Sequence, residues 1–171
     1  MDTRSRLLDA TQELLWERGY AATSPKDILS RANAGQGSMY HHFSGKQDLA
    51  VAALEASATA MRQDAEALLH GDGTATERLV AYLGRQRDSL MGCRMGRMTY
   101  DADVLATPKL LTPVSETLAW LVQTIKLVID EGIVNGEFPR HTDAHRLASM
   151  VVATVPVSYT HLRAHETGRN L

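Results

Sequence analysis

A short polar stretch near the N-terminus carries the side chains best suited to recognising another molecule. Residues 36–42 read QGSMYHH, and Gln36, Ser38, Tyr40 and His41 place hydrogen-bonding groups along it. A glutamine amide can pair with the edge of adenine, a serine hydroxyl is adaptable, and tyrosine or histidine can reach phosphates or bases. In a short helix these residue types indicate contact with double-stranded DNA. A polar helical hairpin on an ordinary bundle is the alternative interpretation.

The residues before this stretch predict a second short helix and a tight turn. Ser24 is a suitable N-cap, and Pro25 fits the first helical position because it has no backbone N–H. Asn33 stands where a left-handed residue would end that helix, and Gly35 is a tolerated N-cap for a helix beginning at Gln36. Two short helices joined by such a turn match the helix-turn-helix pattern, in which the second helix enters the major groove.

Longer helices are predicted on both sides of this pair. Apolar residues at helical spacing predict a first helix from about Thr3 to Arg18, ended by Gly19. An alanine-rich helix is predicted from Lys46 to about Leu69. Within residues 36–43 the obvious core residue is Met39, with Phe43 as its anchor.

The rest of the chain also reads as helices. Thr74 and Glu77 form a capping box that opens a helix ending at Gly92. That helix is predicted to turn four apolar side chains toward a core: Leu79, Val80, Leu83 and Leu90. A long apolar helix begins at either Pro108 or Pro113, and Thr142 caps the next one.

Composition narrows the class of protein. The 171 residues suit one domain, or a small one plus a medium one, and the 44% hydrophobic and 5% aromatic content suits a helical bundle. The net charge is −2, and residues 1–49 contain equal numbers of cations and carboxylates, so any DNA footprint depends on where charges lie. One cysteine excludes an internal disulfide, and neither a membrane-spanning run nor a secretory signal pattern is evident.

Motifs in residues 4–49 resemble the DNA-binding domain of the TetR/AcrR family of bacterial transcriptional repressors. The matching motifs, in order, are Gly19-Tyr20, Thr23-Ser24, Tyr40-His41-His42-Phe43 and Lys46. The run AGQGSMYHHFSGKQDLA is similar to the LmrA/YxaF-like branch, in which a Gly-Cys motif like Gly92-Cys93 often follows. Asn33-Ala34-Gly35 departs from the commoner Gly-Val-Ser turn.

The resemblance implies an all-α fold and a ligand-responsive repressor. Residues 1–45 would form a three-helix helix-turn-helix domain, and residues 46–156 an incomplete helical domain for effector binding and dimerisation. The implied partners are operator DNA, a small apolar effector and a second copy of the intact protein. The implied location is cytoplasmic, without cofactor, metal or enzymatic activity.

Two sets of candidate site residues follow. The DNA-binding set is Thr23, Ser24, Gln36, Gly37, Ser38, Tyr40, His41 and Lys46. Flexible thioethers near a glycine-flanked segment can line an adaptable apolar pocket, although methionine is also ordinary core filler. The effector-pocket set is Met91, Cys93, Met95, Met98, Trp120, Leu121 and Thr124. Cys93 is either a sensor thiol or an inert buried one.

The C-terminal residues break the helical pattern after Pro156. From about Val157 the sequence resembles a translated sequencing-library adapter, which predicts that residues 157–171 are a non-native tail. The resemblance further implies that the last helix of the family is missing. A metal site at His141 and His145 is disfavoured, because the cap at Thr142 breaks their helical register.

A second function remains open, namely a small-molecule-binding helical module without a DNA role. The neutral charge of residues 1–49 favours it. An enzyme has little support, because no nucleophile with its base, no phosphate loop and no paired-carboxylate motif is evident.

Overall fold

The computed structural model describes residues 2–84 and 93–154. Within those residues the regular structure is helical throughout, so the all-α prediction is confirmed. The helices are α1 (Thr3–Arg18), α2 (Pro25–Ala32), α3 (Gln36–His42), α4 (Lys46–Leu69), α5 (Ala75–Gly84), α6 (Arg94–Met98), α7 (Ala102–Ala106), α8 (Pro108–Val134) and α9 (144–154). The predicted end of α5 at Gly92 and the adapter-like tail from Val157 lie outside the described residues.

The predicted helix starts rest on local hydrogen bonds that the structure shows. At α2, Ser24 Oγ accepts from Asp27 N at 3.2 Å, and Asp27 Oδ2 accepts from Ser24 N at 3.0 Å. At α5, Thr74 Oγ1 accepts from Glu77 N at 3.2 Å, and Glu77 Oε2 accepts from Thr74 N at 2.9 Å. Both pairs are capping boxes, which satisfy amides that a helix start leaves unpaired.

The long helix α8 resolves an alternative that the sequence left open. It begins at Pro108, the earlier of the two proposed starts, and continues through Pro113. In the described ranges, no helix combines the length and apolar character needed to cross a membrane. The same ranges hold no group of three metal-ligating side chains, including around His141 and His145.

Packing divides the chain into two compact units. The first contains the described residues of Met1–Thr59 and Arg94–Ser115, and the second those of Ala60–Cys93 and Glu116–Leu171. Helices α4 and α8 therefore contribute residues to both units. This division does not test the predicted domain boundaries, which stay a prediction.

The core of the first unit joins the four N-terminal helices. Its buried members are Leu7, Ala10, Leu14, Ile28, Ala32, Met39, Phe43 and Leu49. Met39 is fully buried and Phe43 nearly so, as the sequence predicted for the core residue and anchor of α3. These contacts fix α3 against α1 and leave its opposite face in solvent.

The core of the second unit corrects the prediction for α5. Leu79 packs partly against the core, but Val80 is 64% exposed and Leu83 is 46% exposed, so the prediction was wrong for both. Tyr82 and Arg78 are buried on this helix instead. Arg78 is held by the carbonyls of Thr74 and Leu69, acceptors that helical periodicity does not reveal.

Candidate nucleic-acid interface

A three-residue turn connects α2 to α3. Asn33 adopts the left-handed conformation with φ 46°, as predicted for the residue that ends α2. Ala34 N donates to Leu29 O at 3.0 Å, and Asn33 N donates to Ser30 O at 3.3 Å, the pair of bonds that defines a Schellman motif. Since this motif reverses the chain sharply, α3 begins only a few residues after α2 ends.

Helix α3 has one buried side chain and an exposed polar face. Met39 points into the core, while Gln36 and Tyr40 are exposed, Tyr40 to 53%. Gly37 and His41 are also exposed, and residues four positions apart share one face of a helix. The exposed face is therefore continuous and carries the amide, phenol and imidazole groups predicted to contact DNA.

Helix α1 supports this arrangement through two arginines. Arg6 Nη1 donates to Asn33 O at 3.3 Å, which ties the turn to α1. The Arg4 guanidinium lies 5.5 Å from the ring centre of Phe43, at the end of α3. Arg6 is thus engaged within the chain, whereas Arg4 is exposed and forms no ion pair with any described residue.

The ion pairs of the first unit explain how a neutral segment can still present positive charge. Arg31 Nη1 lies 2.9 Å from Glu17 Oε1 and 3.1 Å from Glu13 Oε2, and these bonds raise the pKa of Arg31. Hydrogen bonding to Arg31 lowers the pKa of Glu17. Two carboxylates of α1 are therefore paired within the first unit, while the cations Arg4 and Lys26 are exposed.

Lys46 is engaged inside the first unit. Its Nζ donates to Tyr20 O at 2.8 Å and lies 3.9 Å from the ring centre of Tyr20. Burial lowers the pKa of Lys46, and the negative charges of Asp103 and Asp101 oppose that shift. The predicted phosphate contact would require this ammonium to exchange the Tyr20 carbonyl for a phosphate oxygen.

Thr23 and Ser24 are also used within the chain. Thr23 is buried, and its hydroxyl donates to Gly19 O at 2.7 Å. Ser24 is exposed, but its hydroxyl caps α2 and, by hydrogen bonding, lowers the pKa of Asp27. The structure therefore groups Gln36, Gly37 and the C-terminal residues of α3 on one exposed surface, whereas Thr23 is buried and its hydroxyl is bonded to Gly19 O.

Asp101 holds two separate segments of the first unit together, a role that the sequence did not predict. Its Oδ2 accepts from Tyr20 N at 2.6 Å and from Ala21 N at 3.3 Å, and its Oδ1 accepts from Asp103 N and Val104 N at 3.1 and 3.2 Å. One carboxylate thus caps α7 and holds the turn between α1 and α2. An aspartate just before a helix predicts an N-cap, but no local sequence pattern predicts its bonds to the distant turn at Tyr20 and Ala21.

Gly19 allows this contact. Its φ is +85°, and a Cβ built there would lie 2.7 Å from Asp101 Oδ2. A side chain at this position would therefore strain the backbone and displace the carboxylate. The sequence predicted Gly19 as a helix stop, and the structure adds this second reason.

The predicted effector-pocket residues fall into both compact units. Met95 and Met98 are buried in the first, whereas Trp120, Leu121 and Thr124 belong to the second. Cys93 is half-buried, and Met91 lies outside the described residues. As a set they remain a prediction.

A groove of about 570 Å³ lies elsewhere within the first unit. It runs between the starts of α4 and α8 and contains none of the predicted effector-pocket residues. Most of its lining residues are polar or charged by type, and the full lining is Ser44, Gly45, Lys46, Gln47, Asp48, Val51, Glu55, Lys109, Thr112 and Pro113.

Taken together, the helices and the exposed face of α3 define an all-α protein of the helix-turn-helix class. Residues 7–53 match the family described as "Bacterial regulatory proteins, tetR family". The matched segment contains the motifs of the first three helices that resemble the TetR/AcrR family.

Known proteins resemble the chain in sequence and in fold. The HTH-type transcriptional repressor NemR of Escherichia coli (strain K12) is 32% identical over 99 residues, which cover 54% of this chain and 50% of the relative. The chain thus matches about half the length of that curated relative.

Two crystal structures extend the comparison. The reduced form of E. coli NemR superposes with a TM-score of 0.84 at 22% sequence identity. The alignment covers 96% of this chain and 89% of the NemR chain. A TetR family regulator from Agrobacterium tumefaciens superposes with a TM-score of 0.86 at 21% sequence identity. That alignment covers 95% of this chain and 88% of the regulator. At these identities the likeness shows the fold.

Proposed function

We propose that the chain is a DNA-binding transcriptional repressor whose α3 enters the major groove. The observation that carries this proposal is the exposed polar face of α3, held in place by the buried Met39 and Phe43. A helix buried on one side and polar on the other is the geometry that groove recognition requires. The exposed cation Arg4, which lies 5.5 Å from the ring centre of Phe43 at the end of α3, supplies positive charge beside that surface.

The polar side chains of α3 would contact two different parts of the DNA. Gln36 and Ser38 would read base edges, and Tyr40 and His41 would hold phosphates. Thr23 and Ser24 hold the start of α2 in place, through their bonds to Gly19 O and Asp27. Lys46 would join the phosphate contacts after releasing Tyr20 O.

A homodimer would present two α3 helices to successive major grooves, ~34 Å apart, on a palindromic operator. Exposed apolar side chains on α8 and α9 support a partner surface: Leu127 is 61% exposed and Met150 is 57% exposed. The LmrA/YxaF-like motifs support placement in that branch, and a cytoplasmic location would follow from the operator target.

Effector binding in the helical domain would release the operator. An effector that prefers the dimer spacing found off DNA must weaken DNA binding by the same factor as DNA weakens effector binding. The predicted effector-pocket residues Trp120, Leu121 and Thr124 support a ligand site in the second unit.

Substitutions on the exposed face of α3 test the DNA proposal. Tyr40→Ala should weaken binding to all sequences, because a phosphate contact does not depend on the base pair. Gln36→Ala should change sequence preference by about 1–3 kcal/mol at one base pair. Gel-shift titrations against an operator and single-base variants would measure both effects. Unchanged retention for both variants would show that these assignments are wrong.

Gly37 provides a test that separates DNA binding from stability. A Cβ at Gly37 would meet nothing within 4 Å, so the chain's own packing does not require glycine there. Gly37→Ala should stabilise α3 by up to about 1 kcal/mol but weaken DNA binding by about 1–3 kcal/mol, because the added methyl would crowd the groove.

Gly84→Ala is the matched control for this substitution, since Gly84 is also helical with open space around its Cα. It should stabilise the protein without changing DNA affinity. Thermal melts and fluorescence anisotropy with a labelled duplex would report both quantities. Equal DNA affinity for Gly37→Ala and the unsubstituted chain would contradict groove insertion of α3.

A helical small-molecule-binding module without a DNA role is the second candidate. The balanced charge of residues 1–49 favours it. A salt titration separates the two functions, because affinity for duplex DNA falls with salt in proportion to the number of phosphate contacts. A duplex affinity that is negligible even at low salt would favour the second candidate.

A further inference from the structure

Arg62 is a half-buried cation of the second unit that forms no ion pair with a carboxylate of residues 2–84 or 93–154. Its Nη2 lies 3.4 Å from Thr117 Oγ1, a long contact to a neutral hydroxyl. Its Nε is buried and meets no acceptor. The guanidinium also lies 5.6 Å from the ring centre of Trp120. A guanidinium carries five N–H donors, and among the described residues one donor of Arg62 meets an acceptor.

The nearest candidate counter-ions do not pair with it. Glu66 stands one turn further along α4, and Glu116 precedes Thr117 on α8, but both are exposed and neither forms an ion pair with Arg62. No carboxylate of the described residues lies within ion-pair distance of this guanidinium.

Arg78 shows how the same unit satisfies another buried arginine. Arg78 donates to Thr74 O and Leu69 O at 3.4 and 3.2 Å. Its Nη2 lies 2.7 Å from Glu131 Oε1, an ion pair whose angles are not those of a hydrogen bond. Withdrawing a charge from water costs free energy unless a partner compensates it. Arg78 has that partner in Glu131, whereas Arg62 has none among the residues that the structure describes.

The surroundings of Arg62 are mostly apolar. Met61 precedes it on α4, and Leu118, Trp120 and Leu121 belong to α8; all four are part of the hydrophobic core or pack against it. Thr124 is buried on the same helix, and its hydroxyl donates to Trp120 O at 3.0 Å. The Arg62 guanidinium therefore lies beside Trp120, a residue that packs against the apolar core of the second unit.

We propose that Arg62 is the anion-recognising residue of the effector site, and that the effector is a monocarboxylate with an apolar or aromatic body. A carboxylate accepts two parallel hydrogen bonds from a guanidinium. Thr117 accepts only one from Arg62, so a bound carboxylate would supply the paired acceptors. One cation balances one negative charge, whereas a phosphate dianion would remain partly uncompensated. The proposal rests on the effector-binding part of the proposed function and names the chemical class of its ligand.

Calorimetric titration of the full chain without DNA tests this proposal. The probes are octanoate and 2-naphthoate, each compared with its neutral amide. At least one acid should bind about 10- to 100-fold more tightly than its amide, the ratio expected for hydrogen bonds to a charged group. Arg62→Gln should remove this difference, and the control Arg140→Gln, at an exposed position of the same unit, should retain it.

Three results would overturn the assignment. These are binding of neither acid, equal binding of acid and amide, and an unchanged preference for the acid in Arg62→Gln. Because no DNA is present, these results are independent of operator binding. A chain that retains an operator but shows no acid preference would refute the ligand class alone.

The melting temperature of Arg62→Met distinguishes ligand recognition from a structural role. Removing an uncompensated cation from an apolar surface should leave the melting temperature unchanged or raise it, as is common when a binding residue is replaced. If the guanidinium were required for folding, Arg62→Met would instead lower the melting temperature. A clear fall would overturn the proposal.

Discussion

Replacing Met39 by alanine is expected to lower the free energy of unfolding by about 2–5 kcal/mol. Met39 is fully buried, and the core it fills joins α1, α2, α3 and the start of α4. Truncation would remove its buried apolar atoms and leave a cavity, because surrounding helices relax only partly into such a space. Urea unfolding followed by circular dichroism would measure the change.

The neighbouring residue Tyr40 provides the matched control. Its side chain is 53% exposed on the opposite face of α3, so Tyr40→Ala should change stability by no more than about 0.5 kcal/mol. If the proposed function holds, Met39→Ala lowers the stability of the fold, whereas Tyr40→Ala weakens DNA binding. Equal losses of stability would show that α3 is not oriented with Met39 inward.

The second large effect is expected at Asp101. Asp101→Ala should lower the free energy of unfolding by about 2–4 kcal/mol, because it removes a helix cap and charge-assisted hydrogen bonds. The lost acceptors serve Tyr20 N and Ala21 N in one turn and Asp103 N and Val104 N in another. Urea unfolding would report the total, and amide hydrogen exchange would show whether those four amides lose protection together.

Asp103→Ala is the control for this experiment. Asp103 is exposed and close in sequence, and its carboxylate caps none of these amides. It should change stability by about 0.5 kcal/mol or less, as surface substitutions usually do. If Asp101→Ala behaved like Asp103→Ala, the carboxylate would not be the link between α7 and the turn after α1.

The half-buried Lys46 links the carboxylate of Asp101 to the proposed interface through Tyr20. Lys46 Nζ donates to the carbonyl of Tyr20, and the amide of the same residue donates to Asp101. The positions of the turn after α1 and of the start of α4 therefore depend on one another. A sequence motif can identify Lys46 as a family residue, but only the fold shows which group its ammonium contacts.

Features decided by neighbouring residues could be predicted from the sequence. The limits of α1, the capping boxes at Ser24 and Thr74, and the left-handed Asn33 follow from hydrogen bonds that join residues at most five positions apart. The burial of Met39 in an otherwise polar helix follows from hydrophobicity alone. The helix-turn-helix and its exposed face were therefore predictable.

Features decided by distant residues were not. Asp101 and Tyr20 are 81 positions apart, and Arg62 and Thr117 are 55 apart, so no local pattern reveals either contact. The exposure of Val80 and Leu83 likewise depends on which face of α5 the rest of the second unit covers. The sequence by itself determined the helices and the surface of α3, because short-range bonds and periodicity encode them. Only the tertiary structure decided which charged groups are neutralised internally and which remain to bind another molecule, because pairing depends on the packing of distant segments.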